Sequence, residues 1–140
     1  MIKNIVSLVL ILFISTAYSQ SVLGKWRTVD DETGEEKSIV EIYKRDGKVF
    51  GKIIEIFDPS KRDLPCIYCE GEDHNKPILG LDIIKNMEKE DGVYKNGTIT
   101  DPQDGKVYRG RLKLDDENTL QVRGYVAFFY ATQYWIRAKE

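Results

Sequence analysis

Gly24-Lys25-Trp26-Arg27 opens the regular pattern of this chain, and Trp135-Ile136-Arg137 closes it. A Gly-x-Trp on a first strand and an Arg on a last strand are what a closed β-barrel uses to seal one end. The indole caps the core, the guanidinium stacks on its face, and the two terminal strands are stapled together. Gly24, Trp26, Trp135 and Arg137 are therefore read as a structural seal, a determinant of the fold.

Upstream of the seal the chain has a different grammar. Lys3 supplies a positive start, Ile5 to Ile14 is an apolar run of ten residues broken only by Ser7, and Ala17-Tyr18-Ser19 offers small residues at a cleavage site. This is the pattern of a secretory signal peptide covering residues 1–19. The run is too short to span a bilayer core of about 30 Å, which needs ~20 apolar residues, so no membrane span is expected after cleavage. No Cys follows it to accept a lipid. The mature chain, 20–140, has 121 residues, one domain's length. Without Lys3 its 20 basic residues stand against 23 acidic ones, a net charge of −3. That near balance argues against nucleic acid, which asks for a basic stripe.

Downstream the apolar pattern is short and period-two. Strands are expected at Leu23 to Val29, Lys37 to Lys44, Val49 to Phe57, Val93 to Thr100, Lys106 to Leu114, Thr119 to Phe129 and Thr132 to Lys139. Leu79 to Met87 reads as a strand or a short helix. Asp46-Gly47 and Asp91-Gly92 are hairpin signals, because such turns require positive φ. A break near Ala131 separates the last two strands. From Asp58 to Pro77 the rhythm is lost for about twenty residues, which include three prolines, both cysteines and the only histidine. A loop that long in a small domain is usually functional or mobile. The whole reads as an all-β, up-and-down antiparallel barrel of about eight strands, a size whose lumen side chains fill or one small ligand occupies.

A resemblance covers essentially the whole mature chain. It is carried by Gly24-x-Trp26-x-Thr28-x-Asp30-Asp31-x-Thr33-Gly34, Lys37-Ser38-x-Val40-x-Ile42-Tyr43 and Gly47-Lys48-x-Phe50-Gly51-Lys52-Ile53. It continues in Pro77-Ile78-x-Gly80-Leu81, Asp101-Pro102-x-x-Gly105-Lys106-x-Tyr108, Leu120-x-Val122-Arg123-Gly124-Tyr125 and Trp135-x-Arg137. On these motifs the chain resembles the domain-of-unknown-function family numbered 2147, small exported bacterial proteins. The resemblance implies a lipocalin-like barrel and a bacterial, periplasmic or secreted protein. It implies no activity. The cysteine pair departs from the usual family form, so nothing about it is carried over.

Four groups of residues bear candidate chemistry. Cys66-Ile67-Tyr68-Cys69 reads most simply as a local disulfide in an oxidising compartment. A redox-active pair is the alternative, although Glu70, Glu72 and Asp73 would oppose a lowered thiolate pKa. Zinc, with His74 completing the set, is a third reading that lacks a fourth good ligand. Haem attachment is excluded because Glu70, not His, follows Cys69. His74 as a general base has no identifiable nucleophile or orienting partner, so no catalytic residue is assigned. Asp30, Asp31, Asp101 and Asp104 could form a carboxylate pair or a partial calcium shell, but all four lie in turns, where Asp bonds nearby backbone N–H groups.

Inside the strands, Arg123 shares a face with Tyr125, Ala127 and Phe129. An arginine on a largely apolar face needs a carboxylate, a ring or a ligand. If that face lines the lumen, Arg123 and Tyr125 form an anion-recognising pair; the alternative is an external salt bridge. Tyr43, Phe50, Tyr108 and Phe128 are further candidates to line a cavity. Asn96-Gly97-Thr98 is formally a glycosylation sequon and reads as a turn. The functional expectation is a monomeric, non-enzymatic, cofactor-free barrel holding a small apolar or amphipathic ligand. The alternatives are a structural or interaction protein of the envelope with a filled barrel, and a metal or redox protein centred on Cys66, Cys69 and His74.

Overall fold

The computed structural model describes residues 21–139. The expected signal peptide lies outside the described residues. Eight strands follow in order: β1 (Gly24–Val29), β2 (Glu36–Arg45), β3 (Lys48–Ile56), β4 (Asp82–Glu90), β5 (Val93–Thr100), β6 (Val107–Asp116), β7 (Thr119–Val126) and β8 (Phe129–Arg137). Each pairs antiparallel with the next, and β8 returns to β1 to close the barrel. Asp46-Gly47 and Asp91-Gly92 have positive φ at both residues, as tight hairpins that follow the strand twist require.

Alternation along the strands decides what is inside. Trp26, Val40, Ile42, Ile84, Met87, Leu112 and Leu120 are fully buried and project into the lumen. Most of their neighbours on the same strands face water, Ile83 beside Ile84 being buried as well. At the end where the chain enters and leaves, Trp26 is closed over by Arg137, whose guanidinium lies 4.2 Å from the indole centroid. The same guanidinium donates to the carbonyls of Glu117, Leu23 and Ser21 at 2.8, 3.3 and 2.9 Å. The Trp26 indole N–H donates to the Val22 carbonyl at 2.9 Å. Gly24 sits at φ +126, with Arg137 Nη1 3.1 Å from where a Cβ would stand. Trp135 faces the lumen opposite Leu120 and donates its indole N–H to Gln133 at 3.0 Å.

Buried apolar side chains pack together in the lumen. A Cβ on Gly110 would overlap Met87, and one on Gly51 would come within 2.9 Å of Ile84. At these two positions glycine is required by the close approach of a side chain from a strand one or two places along the sheet.

Two local readings change, at Asn96 and at the last hairpin, and two become definite. The strand reading of 79–87 holds from Asp82 onward, since β4 begins there and runs on to Glu90. It carries a bulge at Asn86, with φ +58, which lies against Gly97 of β5. Asn96, at φ +66, belongs to the matching irregularity inside β5 and is not a turn; its amide donates to Glu90. The last hairpin turns at Ala127-Phe128, not near Ala131, because Val126 pairs with Phe129. The long loop is ordered. It has two 3-10 turns, Pro59–Lys61 and Gly71–Asp73, and a bridge between Pro65 and Pro77.

Candidate functional site

The loop from Asp58 to Leu81 is held by the disulfide Cys66–Cys69, whose Cα atoms are 5.3 Å apart. Both half-cystines are buried within the core cluster. The pair rests on the β5–β6 turn: Cys66 Sγ lies 3.6 Å from the Pro102 carbonyl, and Gly105 leaves no space for a Cβ beside the Tyr68 carbonyl. The Cys66 and Ile78 N–H groups donate to the Lys76 and Leu64 carbonyls, so the two arms of the loop hold each other. His74 Nδ1–H donates to the Cys69 carbonyl at 3.0 Å. Bonded, buried sulfurs are neither thiolate ligands nor open to attack by an external thiol. Three of the four turn acids are also accounted for. Asp30 accepts from Glu32 and Thr33 N–H and pairs with Lys37 at 2.8 Å. Asp101 and Asp104 accept from Gln103 and Lys106 N–H.

The inner wall of the loop and the outer face of β2 to β4 enclose a half-open crevice of about 680 Å³. Its apolar floor is Phe50, Leu79 and Leu81. Phe50 stacks on its cross-strand partner Tyr43, ring centroids 6.0 Å apart, and Arg45 covers it at 4.1 Å. Tyr43 donates its hydroxyl to Asp82, which also faces Arg45 at 3.7 Å. Burial, and then the Asp82 bond, push the Tyr43 hydroxyl up to about 12, so it remains a donor at neutral pH. On the other wall Asp73 holds Lys85 and Lys76. The result is a mostly polar crevice of small-ligand size, in which Phe50, Leu79 and Leu81 supply apolar contacts among two sets of opposed charges.

A second concavity, of about 380 Å³, lies where β1 and β8 part. Only Trp26 with Arg137 and Arg27 with Ile136 pair across that seam. Beyond them Val29 and Asp31 face Thr132 and Tyr134 across a gap. Burial, then the charge of Asp30, raises the Asp31 pKa, and a hydrogen bond from Gln133 works against the rise.

The candidate ligand residues do not form one site. Tyr108 points into the lumen, its side chain within 3.1–3.6 Å of where a Cβ of Gly124 would be. Tyr43 and Phe50 lie outside, beside the crevice. Arg123 and Tyr125 are adjacent but on the outer face of β7, since Leu120, Val122 and Gly124 take the inward positions. The lumenal anion pair is therefore corrected: Gly124 is the inward residue, kept small by the Tyr108 ring, and alternation sends its neighbours outward. Arg123 donates to Thr132 at 2.9 Å and lies 4.5 Å above the Tyr130 ring. Its pKa is raised, mainly by a hydrogen bond with Tyr125. Phe128 is at the β7–β8 tip, 97% exposed, and lines neither concavity. Sequence reasoning missed Arg45, Asp73, Leu79, Leu81 and Lys85. The interrupted rhythm at 58–77 was the signal for the crevice wall, but nothing in it says which strands the loop folds against.

The model of a family described as an uncharacterized protein conserved in bacteria (DUF2147) matches residues 24–137. No curated protein matches. Among solved structures, protein HP1028 from the human pathogen Helicobacter pylori, which belongs to the lipocalin family, superposes with a TM-score of 0.73. It is 21% identical, over 86% of this chain and 84% of that one, a likeness of fold.

Proposed function

The chain belongs to the bacterial family DUF2147, and from that premise we propose that it is an exported, non-enzymatic barrel that binds a small amphipathic molecule outside its lumen. The observation that carries this reading is the 680 Å³ crevice under the loop, with Phe50, Leu79 and Leu81 as floor and Arg45, Asp73, Asp82 and Lys85 as walls. Its volume falls within the range of small-molecule sites, roughly 300–1,000 Å³. An apolar body would lie on the floor, while a polar group would exchange with the flanking ion pairs. The packed lumen supports placing the ligand here and not inside. Export is supported by the disulfide, which suits an oxidising compartment.

The test is mass spectrometry of small molecules that co-purify, together with titration by anilinonaphthalene sulfonate, an amphipathic fluorescent anion. Leu79→Asp, a change at a partly exposed lining residue, is expected to weaken that probe at least about tenfold without unfolding the barrel. Equal binding by the variant would move the site elsewhere. The packed lumen favours a second reading, an envelope interaction protein. That reading gains if nothing co-purifies and the probe does not bind.

A further inference from the structure

The outer face of β6, β7 and β8 lies four strands around the barrel from the crevice, and its chemistry is different. From Lys106 to Leu114 and from Thr119 to Arg137 there is no carboxylate, in a chain that is acidic overall. Arg109, Arg111, Lys113 and Arg123 all point outward from this face. Among the described residues none of the four forms a salt bridge. The three arginines are held by rings and uncharged side chains instead: Arg109 lies 6.0 Å from the Tyr125 centroid, Arg111 donates to Gln121, and Arg123 donates to Thr132.

This cationic face runs into an apolar tip. Phe128 and Phe129 are 97% and 80% exposed, and Val126 and Tyr130 flank them at 52% and 60%. Ala127 holds φ +52 in the two-residue turn, a position where Asn or Gly is the usual choice. The tip also overhangs its surroundings. With Trp26 opposite Arg137, the last β1 residue, Val29, falls level with Tyr134, and β8 runs on to Phe129 with β7 as its only strand partner.

We infer that this hairpin is a membrane-docking tip: Phe128 and Phe129 enter the acyl boundary of a bilayer while Arg109, Arg111 and Arg123 engage anionic headgroups. The order of residues along the hairpin matches the order of layers in a leaflet. At ~3.3 Å per strand residue, Tyr125 and Tyr130 sit roughly 7–10 Å behind the tip and Arg123 roughly 15 Å behind it. An interfacial element buries its apolar side ~5–10 Å, which brings the tyrosines to the interface and the arginine side chain to the phosphates. A convex tip with a phenylalanine at its apex has no pocket to receive a folded protein's anchor residue, and a bilayer needs none. On the β1–β2 side Asp30 is paired with Lys37 and Glu36 with Arg27, while Asp31, Glu32 and Glu35 remain as counter-charges to the cationic face, and β8 runs beyond the end of β1.

The test is co-sedimentation of the exported protein with vesicles of phosphatidylcholine, with and without phosphatidylglycerol. Binding is expected only or mainly to the anionic vesicles, and it should weaken as salt rises. Phe128→Ser should lower partitioning at least about tenfold. Arg109→Gln with Arg123→Gln should lower it several-fold and remove the preference for phosphatidylglycerol. All three side chains lie outside the core, and circular dichroism checks that the variants fold. Every variant carries the same N-terminus, so binding through a retained leader would be unchanged by Phe128→Ser and would overturn the inference. Absence of binding to either vesicle would overturn it as well. So would tight binding to an acidic protein or single-stranded nucleic acid that outcompetes vesicles. Because the crevice lies on the opposite wall, loss of probe binding there leaves this outcome untouched.

Discussion

At the scale of single residues, the seal is the feature most readable from sequence, because its members have few alternatives. A tryptophan two residues after a glycine on the first strand is placed to cap the core, and an arginine on the last strand is placed to stack on it and bond the carbonyls around it. Arg123 shows where residue chemistry alone misleads. Its aromatic neighbours invited a lumenal site, yet inward or outward was decided by Gly124, which fits only beside the Tyr108 ring. Trp26→Ala is expected to cost ~3–5 kcal/mol, as removal of a large buried aromatic does. Chemical denaturation checks this, and a loss below about 1 kcal/mol would mean that the indole does not carry the core. The adjacent aspartates should respond to acid in opposite ways. Lys37, with the Thr33 and Glu32 N–H groups, holds the Asp30 carboxyl well below the usual range. Its stabilisation is present above the unfolded carboxylate pKa and is lost as pH falls through the folded value. Burial raises the Asp31 pKa, so its ionised form is a cost that is full above the folded pKa and absent below the unfolded one. Thermal melts should therefore show Asp30→Asn lowering Tm at neutral pH and Asp31→Asn raising it. Both differences should vanish in strong acid, and changes of the same sign would contradict the assignment.

At the scale of elements, strands with explicit turn chemistry between them were legible, and those without it were not. Asp46-Gly47 and Asp91-Gly92 announce their hairpins because few other residues tolerate positive φ twice in succession. Ala127-Phe128 announces nothing. Four of the five residues from Val126 to Tyr130 are strong strand formers, so the sequence places the break further on, near the small residue Ala131. That error is informative, since local preference gives way here in order to set two phenylalanines in water at a tip. β4 was ambiguous for a related reason. Its bulge at Asn86 shifts the alternation midway, and a period-two pattern that slips by one residue reads as a short helix. The cysteine loop was legible as a disulfide from its compartment and spacing. Its role as a packed wall was not, because the contacts that make it one come from Pro102 and Gly105, more than thirty residues away.

At the scale of the molecule, closure is uneven, and that has a measurable consequence. Seven of the eight interfaces join chain neighbours, while the eighth, β1 with β8, must be made between the ends of the chain and comprises two residue pairs. The seal concentrates stabilisation at that end, and the seam opens toward the other. Backbone direction identifies the amides affected. Arg137 N–H faces the β7 side, bonding Asn118, whereas Ala138 N–H faces β1 and bonds Lys25. Two-residue alternation then turns the N–H groups of Tyr134, Thr132 and Tyr130 toward the gap, and those of Gln133 and Trp135 toward β7. Unpaired N–H groups exchange through local fluctuation, whereas paired ones wait for larger openings. Hydrogen exchange followed by NMR should therefore show Tyr130, Thr132 and Tyr134 losing protection early, while Gln133 and Trp135 exchange at least about a hundredfold more slowly. Equal protection on alternate residues would mean that β1 and β8 zip further in solution, and the 380 Å³ gap beside Asp31 would then not persist. If the difference is found, the barrel is rigid at the tryptophan seal and loose where β8 extends toward its tip, so the hairpin can tilt without opening the core.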